Sequence, residues 1–578
     1  MNDEQSVDLR YLVKMGFLAG AIVLYTAVIG MIVVFSGRQL IAGVITLGTV
    51  LLLAPPLGLA FFVCRKDAGV GNGRLLAHGA MIGVLSSLPV IGLIIIGSNF
   101  DVRQMFVNVS PELIDLLTFG QGNVVGSLML AALMTVAGLL GGGLILLPPL
   151  WRKAVIAGVS VTLTVGLLSE LIILVLRPLL GSSFTRFVFQ NGALRPSFAV
   201  IILIITATLS LFWQKRGADY KTRFANLGQG PRKNIRRGGF SIGTLILLML
   251  PWIVGTYLSE VIGNVGLYIL MALGLNIAVG LAGLLDLGYV TNFAVGAYVA
   301  AILTTTGDFS TMELGFWIII PIAILCAMAT GFVLALPVLR MRGDYLAIAT
   351  LGFGEIIRIL ALSDWLSAVV GGPQGVLDIP KPVLFGYDFS GPQQFYYIIL
   401  AACLVILFVS VRLNNSRSGR QWMALREDED VAAAMGIDTT LSKLLAFTLS
   451  AASGGLAGAI FAAKLGTVFP QSFNLFVSIN VLSVIIVGGM GSIPGIVVGA
   501  LLLIGLPELL REFAEYRLLI YGILLIVVML MRPEGLWPSA ARRRELHDAM
   551  SGGDSDATVL DSHVISHGQE AMSHGLDM

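Results

Sequence analysis

Charge is what this sequence has least of. Only 12% of its 578 residues are Asp, Glu, Lys or Arg, against about 25% in soluble globular chains. With 56% hydrophobic residues and a mean hydropathy of +0.90, the chain has too little polar surface to face water on all sides. A soluble fold is excluded. Cysteine is as scarce. Cys64, Cys326 and Cys403 stand far apart, in or at the end of apolar runs. That spacing offers neither a disulfide framework nor a zinc site, so they read as buried small hydrophobes.

The patterns of catalytic chemistry are missing too. No G-x-x-x-x-G-K-[ST] loop is present, so the chain is not expected to hydrolyse ATP itself. There is no H-E-x-x-H, no G-x-S-x-G and no Cys/His cluster. His78 is the only histidine among the apolar runs, which leaves a membrane-embedded enzyme without a nucleophile–base pair or metal ligands. The chain is read as no enzyme, with no catalytic residue, no metal site, no cofactor of its own and no nucleic-acid partner. GGMGSIPG (488–495) is glycine-rich but lacks a lysine. It reads as a tight cytoplasmic turn in which Pro494 opens the next helix.

What is present is length in apolar runs. Several stretches approach 20 residues, about what crosses a hydrocarbon core of roughly 30 Å. The alternating segments of about ten residues that build a membrane barrel are absent. The expectation is an all-α, polytopic transmembrane helical bundle of about 16 spans. Six precede a basic segment, near 16–35, 39–64, 75–97, 124–148, 154–176 and 198–213. Ten follow it, near 240–258, 262–281, 284–303, 316–337, 344–362, 395–413, 444–463, 475–491, 494–510 and 516–532. The first residues carry Asp3, Glu4 and Asp8, the wrong charge for a cleaved leader, so the first run is read as the first span.

Segment 214–239 holds eight basic residues against one acid and marks a boundary. The chain thus divides into an amino-terminal membrane extension (1–213), a basic cytoplasmic linker (214–239), a core of about ten helices (240–540) and a polar, disordered cytoplasmic tail (541–578). Placing both termini inside puts most of the 36 basic residues in cytoplasmic segments. Arg177, Arg186 and Arg195 run against that rule. The linker also suits contact with anionic membrane lipid. His563 and His567 in the tail have helical i, i+4 spacing, but their Gly- and Ser-rich surroundings argue against a metal site.

Ionisable groups within spans are costly and point to pairing or to a pathway. If the span begins near Asp344, Glu355 lies about 16 Å and Arg358 about 21 Å along it. At i, i+3 they share a face. They are candidates for the translocation path, with a structural ion pair as the plainer reading. Asn276 and Asn292 are further candidates, and hydrogen bonding across helices is favoured for both. Glu170 has no evident partner. Run 284–303 contains Asp286, Tyr289, Thr291 and Asn292, which suggests a broken or re-entrant segment.

The most informative stretch is the charged loop from Arg412 to Lys443, with five charges of each sign. It is long for a connector in a compact bundle. Within REDEDVAAAMGI, acids precede three alanines, where the helix dipole favours them, and Gly436 suits a helix stop. A short helix at the cytoplasmic face, carrying Arg426, Glu427, Glu429, Ala432, Ala433 and Gly436, is expected to dock a soluble partner. That disfavours a passive pore or a transporter working alone.

The chain resembles the LivM-type permease subunits of branched-chain amino acid ABC importers. The matching stretches are LYILMALGLNIAVGLAGLLDLG (267–288), LRMRGDYLAIATLGFGEIIR (339–358), GGPQG (371–375), SGRQWMALREDEDVAAAMGID (418–438), VLSVIIVGGMGSIPG (481–495) and MRPEGLW (531–537). They run in order over about 260–540. The resemblance implies a multi-pass bacterial inner-membrane subunit. Its implied partners are a LivH-type sister permease, two cytoplasmic ATPase subunits that bind ATP and Mg, and a periplasmic substrate-binding protein. It also implies that the loop of Glu429, Ala432, Ala433 and Gly436 is the ATPase-coupling segment. Relatives carry urea, short amides or other amino acids, so these remain alternative cargoes. The extension 1–213 is longer than the family's usual start.

Overall fold

The computed structural model describes residues 8–67, 71–225, 229–307, 312–338, 341, 344–509, 516–532 and 534–538. The tail with its histidines lies outside the described residues. So do 226–228 of the basic segment, which is otherwise helical in backbone. The chain divides into two compact units, Met1–Leu247 and Leu248–Met578. The architecture is a polytopic helical bundle. Among the described residues, twelve helices are long and apolar enough to cross a membrane, and four shorter apolar helices accompany them.

The first unit contains α1 (Leu9–Val28), α2 (Leu47–Lys66), α3 (Asn72–Asn99), α4 (Asn123–Leu146), α5 (Pro149–Leu167), α6 (Ser169–Val188) and α7 (Pro196–Ala225). Small residues bring α3 and α4 together. A Cβ built at Gly79 would lie 2.5 Å from the Gly138 carbonyl oxygen, and one at Gly138 would lie 2.2 Å from that of Gly79. No side chain fits between these backbones. This is how helices approach in lipid, where the hydrophobic effect does not press them together. The outward faces stay apolar, as at Val124, Leu128 and Ile205.

The sequence reading places one span at 154–176. The structure instead ends α5 at Leu167 and starts α6 at Ser169. Helix α6 is broken at Gly181, whose φ of 84° and ψ of 164° are non-helical. Its two ends meet. The Ser169 hydroxyl donates to the Gly192 carbonyl. Strands β1 (Gln39–Ile41), β2 (Ile45–Thr46), β3 (Phe189–Gln190) and β4 (Ala193–Leu194) form a small sheet in the order β2-β1-β4-β3. Glu170 is paired with Arg38 beside it. The excursion leaves and rejoins one end of the unit; Arg177 and Arg186 lie on it, and Arg195 comes just after its return.

The long helix α8 (Gln229–Asn276) begins in the first unit and continues into the second, where it is two limbs rather than one rod. Gly255 has φ 79° and ψ −177°. The Ser259 hydroxyl donates to the Pro251 carbonyl at 3.1 Å. Eight residues of continuous helix would separate them by about 12 Å. The chain therefore turns back at Gly255, inside the run read at 240–258 and a few residues before the separation from the run at 262–281. Helices α9 (Tyr289–Thr304), α10 (Phe316–Val338), α11 (Asp344–Leu362) and α12 (Pro392–Asn414) follow. Then come α13 (Arg417–Glu427), α14 (Glu429–Ala434), α15 (Thr439–Leu465), α16 (Leu475–Gly488), α17 (Ile493–Ala500) and α18 (Arg517–Met531).

Helix α9 is the centre of this unit. At 16 residues it is about 24 Å long, short for a hydrocarbon core of roughly 30 Å. An irregular connector (282–288) precedes it. There Asp286 accepts from the Gly288 N–H at 2.9 Å and Thr350 accepts from that of Leu287 at 3.1 Å. Helix α15 lies tightly against α9: a Cβ at Gly458 would stand 2.1 Å from the Phe293 carbonyl oxygen.

Candidate functional site

The charged loop folds into two short helices and two caps. The Asp428 side chain accepts from the backbone N–H groups of Asp430 (2.8 Å) and Val431 (3.0 Å), fixing the start of α14. At its end Gly436 takes φ 84°, its N–H reaches the Ala433 carbonyl at 3.0 Å and that of Ile437 reaches Ala432 at 3.1 Å. These two bonds form a Schellman stop, which needs the left-handed conformation glycine adopts freely. Asp438 then caps α15 through Leu441 at 2.9 Å. The result is a six-residue helical knob capped at both ends.

Packing ties the knob to the bundle. Trp422 on α13 is fully buried among Ile277, Leu281, Leu284, Leu346 and Phe447. Its indole N–H donates to the Ser442 carbonyl at 2.8 Å. Lys443, with a side chain only 4% exposed, meets the Glu429 carboxylate at 2.6 Å. Ala432 is buried beneath the knob, so its methyl serves packing. The outward surface is Val431, Ala433, Ala434, Met435 and Gly436, bordered by the acids Glu427, Asp428 and Asp430. A small apolar face with an acidic rim is chemically suited to sit in a groove of a soluble protein.

Arg426 points the other way, into the bundle. Its guanidinium donates to the Gly280 carbonyl at 2.8 Å and also meets Glu427 at 3.3 Å. Gly280 lies in a π-helical turn, Ile277–Leu281, that continues α8. Such turns displace backbone groups from the regular ladder. One turn earlier, the Asn276 side-chain oxygen accepts from the Gly491 N–H at 3.0 Å. Gly491 lies in the glycine-rich turn between α16 and α17. Ser492 caps α17, and Pro494 stands in its first turn. The C-terminal segment joins there, the Leu536 N–H reaching Val487 at 2.8 Å and that of Trp537 reaching Gly488 at 3.0 Å. One polar chain thus runs from the knob through Arg426, Gly280 and Asn276 to the 488–495 turn.

The four path candidates do not converge. Asn276 belongs to this junction. Asn292 is buried where α9, α10 and α15 meet, accepting from the Thr330 hydroxyl at 3.5 Å. Glu355 and Arg358 do pair, with Nε to carboxylate distances of 3.0 and 3.1 Å. Their side chains are 42% and 27% exposed, so the pair lies on the outer face of α11 rather than in the core. Glu355 also lines a cavity of about 160 Å³ with Leu287, Val290, Phe473 and Leu475.

Sequence reasoning missed the π-turn and the inward role of Arg426. The clustered glycines at 280 and 283 were the available signal. A Cβ at Gly283 would come within 2.5 Å of Arg426 Cγ.

The family described as branched-chain amino acid transport system / permease component matches residues 257–529. The high-affinity branched-chain amino acid transport system permease protein LivM of Escherichia coli (strain K12) is 41% identical over 339 residues, covering 54% of this chain and 78% of LivM. The corresponding LivH of the same organism is 26% identical over 287 residues, covering 46% of this chain and 90% of LivH. BraD of Pseudomonas aeruginosa, named as a permease protein of the same kind of system, is 24% identical over 300 residues, 48% of this chain and 95% of BraD. No solved structure matches. With this identity to LivM over most of LivM's length, and with the motifs of the charged loop and the glycine turn in order, the chain belongs to the LivM-type branched-chain amino acid transport permeases.

Proposed function

We propose that this chain is the permease subunit of an ATP-driven importer of branched-chain amino acids in the bacterial inner membrane, with both termini cytoplasmic. Its partners are a LivH-type sister permease, two cytoplasmic ATPase subunits and a periplasmic substrate-binding protein. The carrying observation is the doubly capped knob α14, which presents an apolar face outward while its neighbour Arg426 grips the π-turn of α8. ATP and Mg belong to the ATPase subunits. Their closure on nucleotide pushes the knob, and Arg426 passes that displacement to α8 and to the 488–495 turn. The outer face of α11, with Glu355 and Arg358, faces the sister permease and borders the path.

The test is uptake by the assembled importer in proteoliposomes. Labelled leucine accumulates only with ATP and binding protein, and unlabelled isoleucine or valine competes. Accumulation of labelled urea or a short amide, with none of labelled leucine, would assign the alternative cargo. Leucine flux through the lone chain without nucleotide would overturn the proposal.

A further inference from the structure

A second cavity of about 300 Å³ lies within this unit, among α8, α9, α15, the 472–477 segment and Ile504–Glu508. That volume is at the lower end of small-molecule sites. Its lining is asymmetric. Asn264, Ser472 and Glu508 supply polar groups. Met271, Phe293 and Val477 supply an apolar wall. Asn264 and Met271 are seven residues apart on one face of α8, hence separated by about 10 Å along it.

Behind Asn264 stands a buried cation. The Lys464 side chain is 5% exposed and its ammonium is 2.8 Å from the Glu260 carboxylate. Lys464 also donates to the Asn264 side-chain oxygen. That bond orients the Asn264 amide so that its NH₂ remains to donate elsewhere. Buried ionic groups in a membrane protein are expensive and mark pathways when they border a cavity.

We propose that this cavity binds a free α-amino acid as its zwitterion, with an aliphatic side chain. The assignment rests on the amino-acid import proposed above. The Asn264 NH₂, backed by the Lys464 charge, and the Ser472 hydroxyl donate to the carboxylate. The Glu508 carboxylate accepts from the ammonium. The aliphatic side chain lies against Met271, Phe293 and Val477. The Phe473 ring packs on Phe293 at 5.5 Å and borders the neighbouring cavity that Glu355 lines. It is the partition between the two spaces.

The experiment measures equilibrium binding of labelled leucine to the full chain with its sister permease in nanodiscs, without ATPase or binding protein. Wild type is expected to bind leucine, with displacement by isoleucine but not by isocaproate, which lacks the ammonium, or by leucinamide, which lacks the carboxylate. Asn264→Leu and Val477→Trp should each weaken binding at least tenfold. If either fails to give a monodisperse complex, Ser472→Ala and Glu508→Gln replace it, with a loss of at least threefold expected. Unaltered leucine binding in the variants overturns the site. So does absence of binding in wild type, or equal displacement by isocaproate and leucinamide, which marks nonspecific apolar or lipid-like occupancy. ATP-dependent leucine uptake by the wild-type assembly, measured in parallel, reads the import function separately. Uptake that persists while binding fails these criteria overturns the site alone.

Discussion

The Arg426 guanidinium and the Gly280 carbonyl oxygen, 146 positions apart in the chain, are joined by a hydrogen bond of 2.8 Å. It fastens the helix beside the knob to the π-turn of α8. A hydrogen bond to a charged group contributes about 1.5–3 kcal/mol. Arg426→Ala is therefore expected to leave membrane insertion and ATPase association intact while lowering ATP-driven uptake at least tenfold. ATP hydrolysis measured alongside should continue, uncoupled. Normal uptake in that variant would remove Arg426 from the transmission route.

Gly436 gives a separate test, because nothing lies within 4 Å of a Cβ added there. Its φ of 84° is the sole obstacle to a side chain. An L-residue held in that conformation costs roughly 1–2 kcal/mol, and asparagine tolerates it better. Gly436→Val should abolish or strongly reduce uptake with normal membrane levels, and Gly436→Asn should retain most of it. Equal activity in the two variants would mean that the Schellman stop does not matter to coupling.

Lys443 and Glu429 call for a double-mutant cycle. Removing one partner of a buried pair costs about 3–5 kcal/mol because the other charge is stranded. Glu429 keeps a 23% exposed side chain, which points to the lower end of that range. Lys443→Met and Glu429→Gln should each lower the melting temperature of the purified protein, and the combined variant should lose less than the sum. Strict additivity would show that the two groups stabilise the fold independently.

Lys381 couples the stability of the fold to alkaline pH. Its ammonium donates to the Ala463 (3.2 Å) and Lys464 (2.6 Å) carbonyls at the end of α15. Burial lowers its pKa from the ordinary 10.5, the Glu260 carboxylate partly opposes this, and the Lys464 charge adds to the lowering. Between the folded and unfolded values the unfolded chain holds more protons, so stability rises with pH in that window. The melting-temperature advantage of wild type over Lys381→Met should widen from pH 8 towards 10.5. A constant difference would contradict it.

The helical class was legible because composition and run length leave few alternatives. The knob was legible because its caps are local: Asp428 and Gly436 are spaced as helix signals are. The break at 154–176 was not. Apolar residues continue through Leu167, Leu168 and into α6, and only the tertiary bond between Ser169 and Gly192 reveals the turn back. Glu170 likewise found its partner 132 positions away, in Arg38. The π-turn at 277–281 left only its glycines, 280 and 283, as a sequence signal, because what pins it is tertiary: Arg426 on the Gly280 carbonyl and the Gly491 N–H on the Asn276 side chain. Glu355 and Arg358 could be paired from spacing alone. Their outward exposure could not, since an α11 with polar groups facing its own core would give the same pattern.

The meeting of Ser169 with Gly192 carries a consequence for how such a chain can change length. A detour that comes home to its starting rim adds an even number of passages, whatever depth it reaches. Deleting or enlarging it alters the bulk of the amino-terminal bundle without inverting anything downstream, so Pro196 would still set out from the same shore.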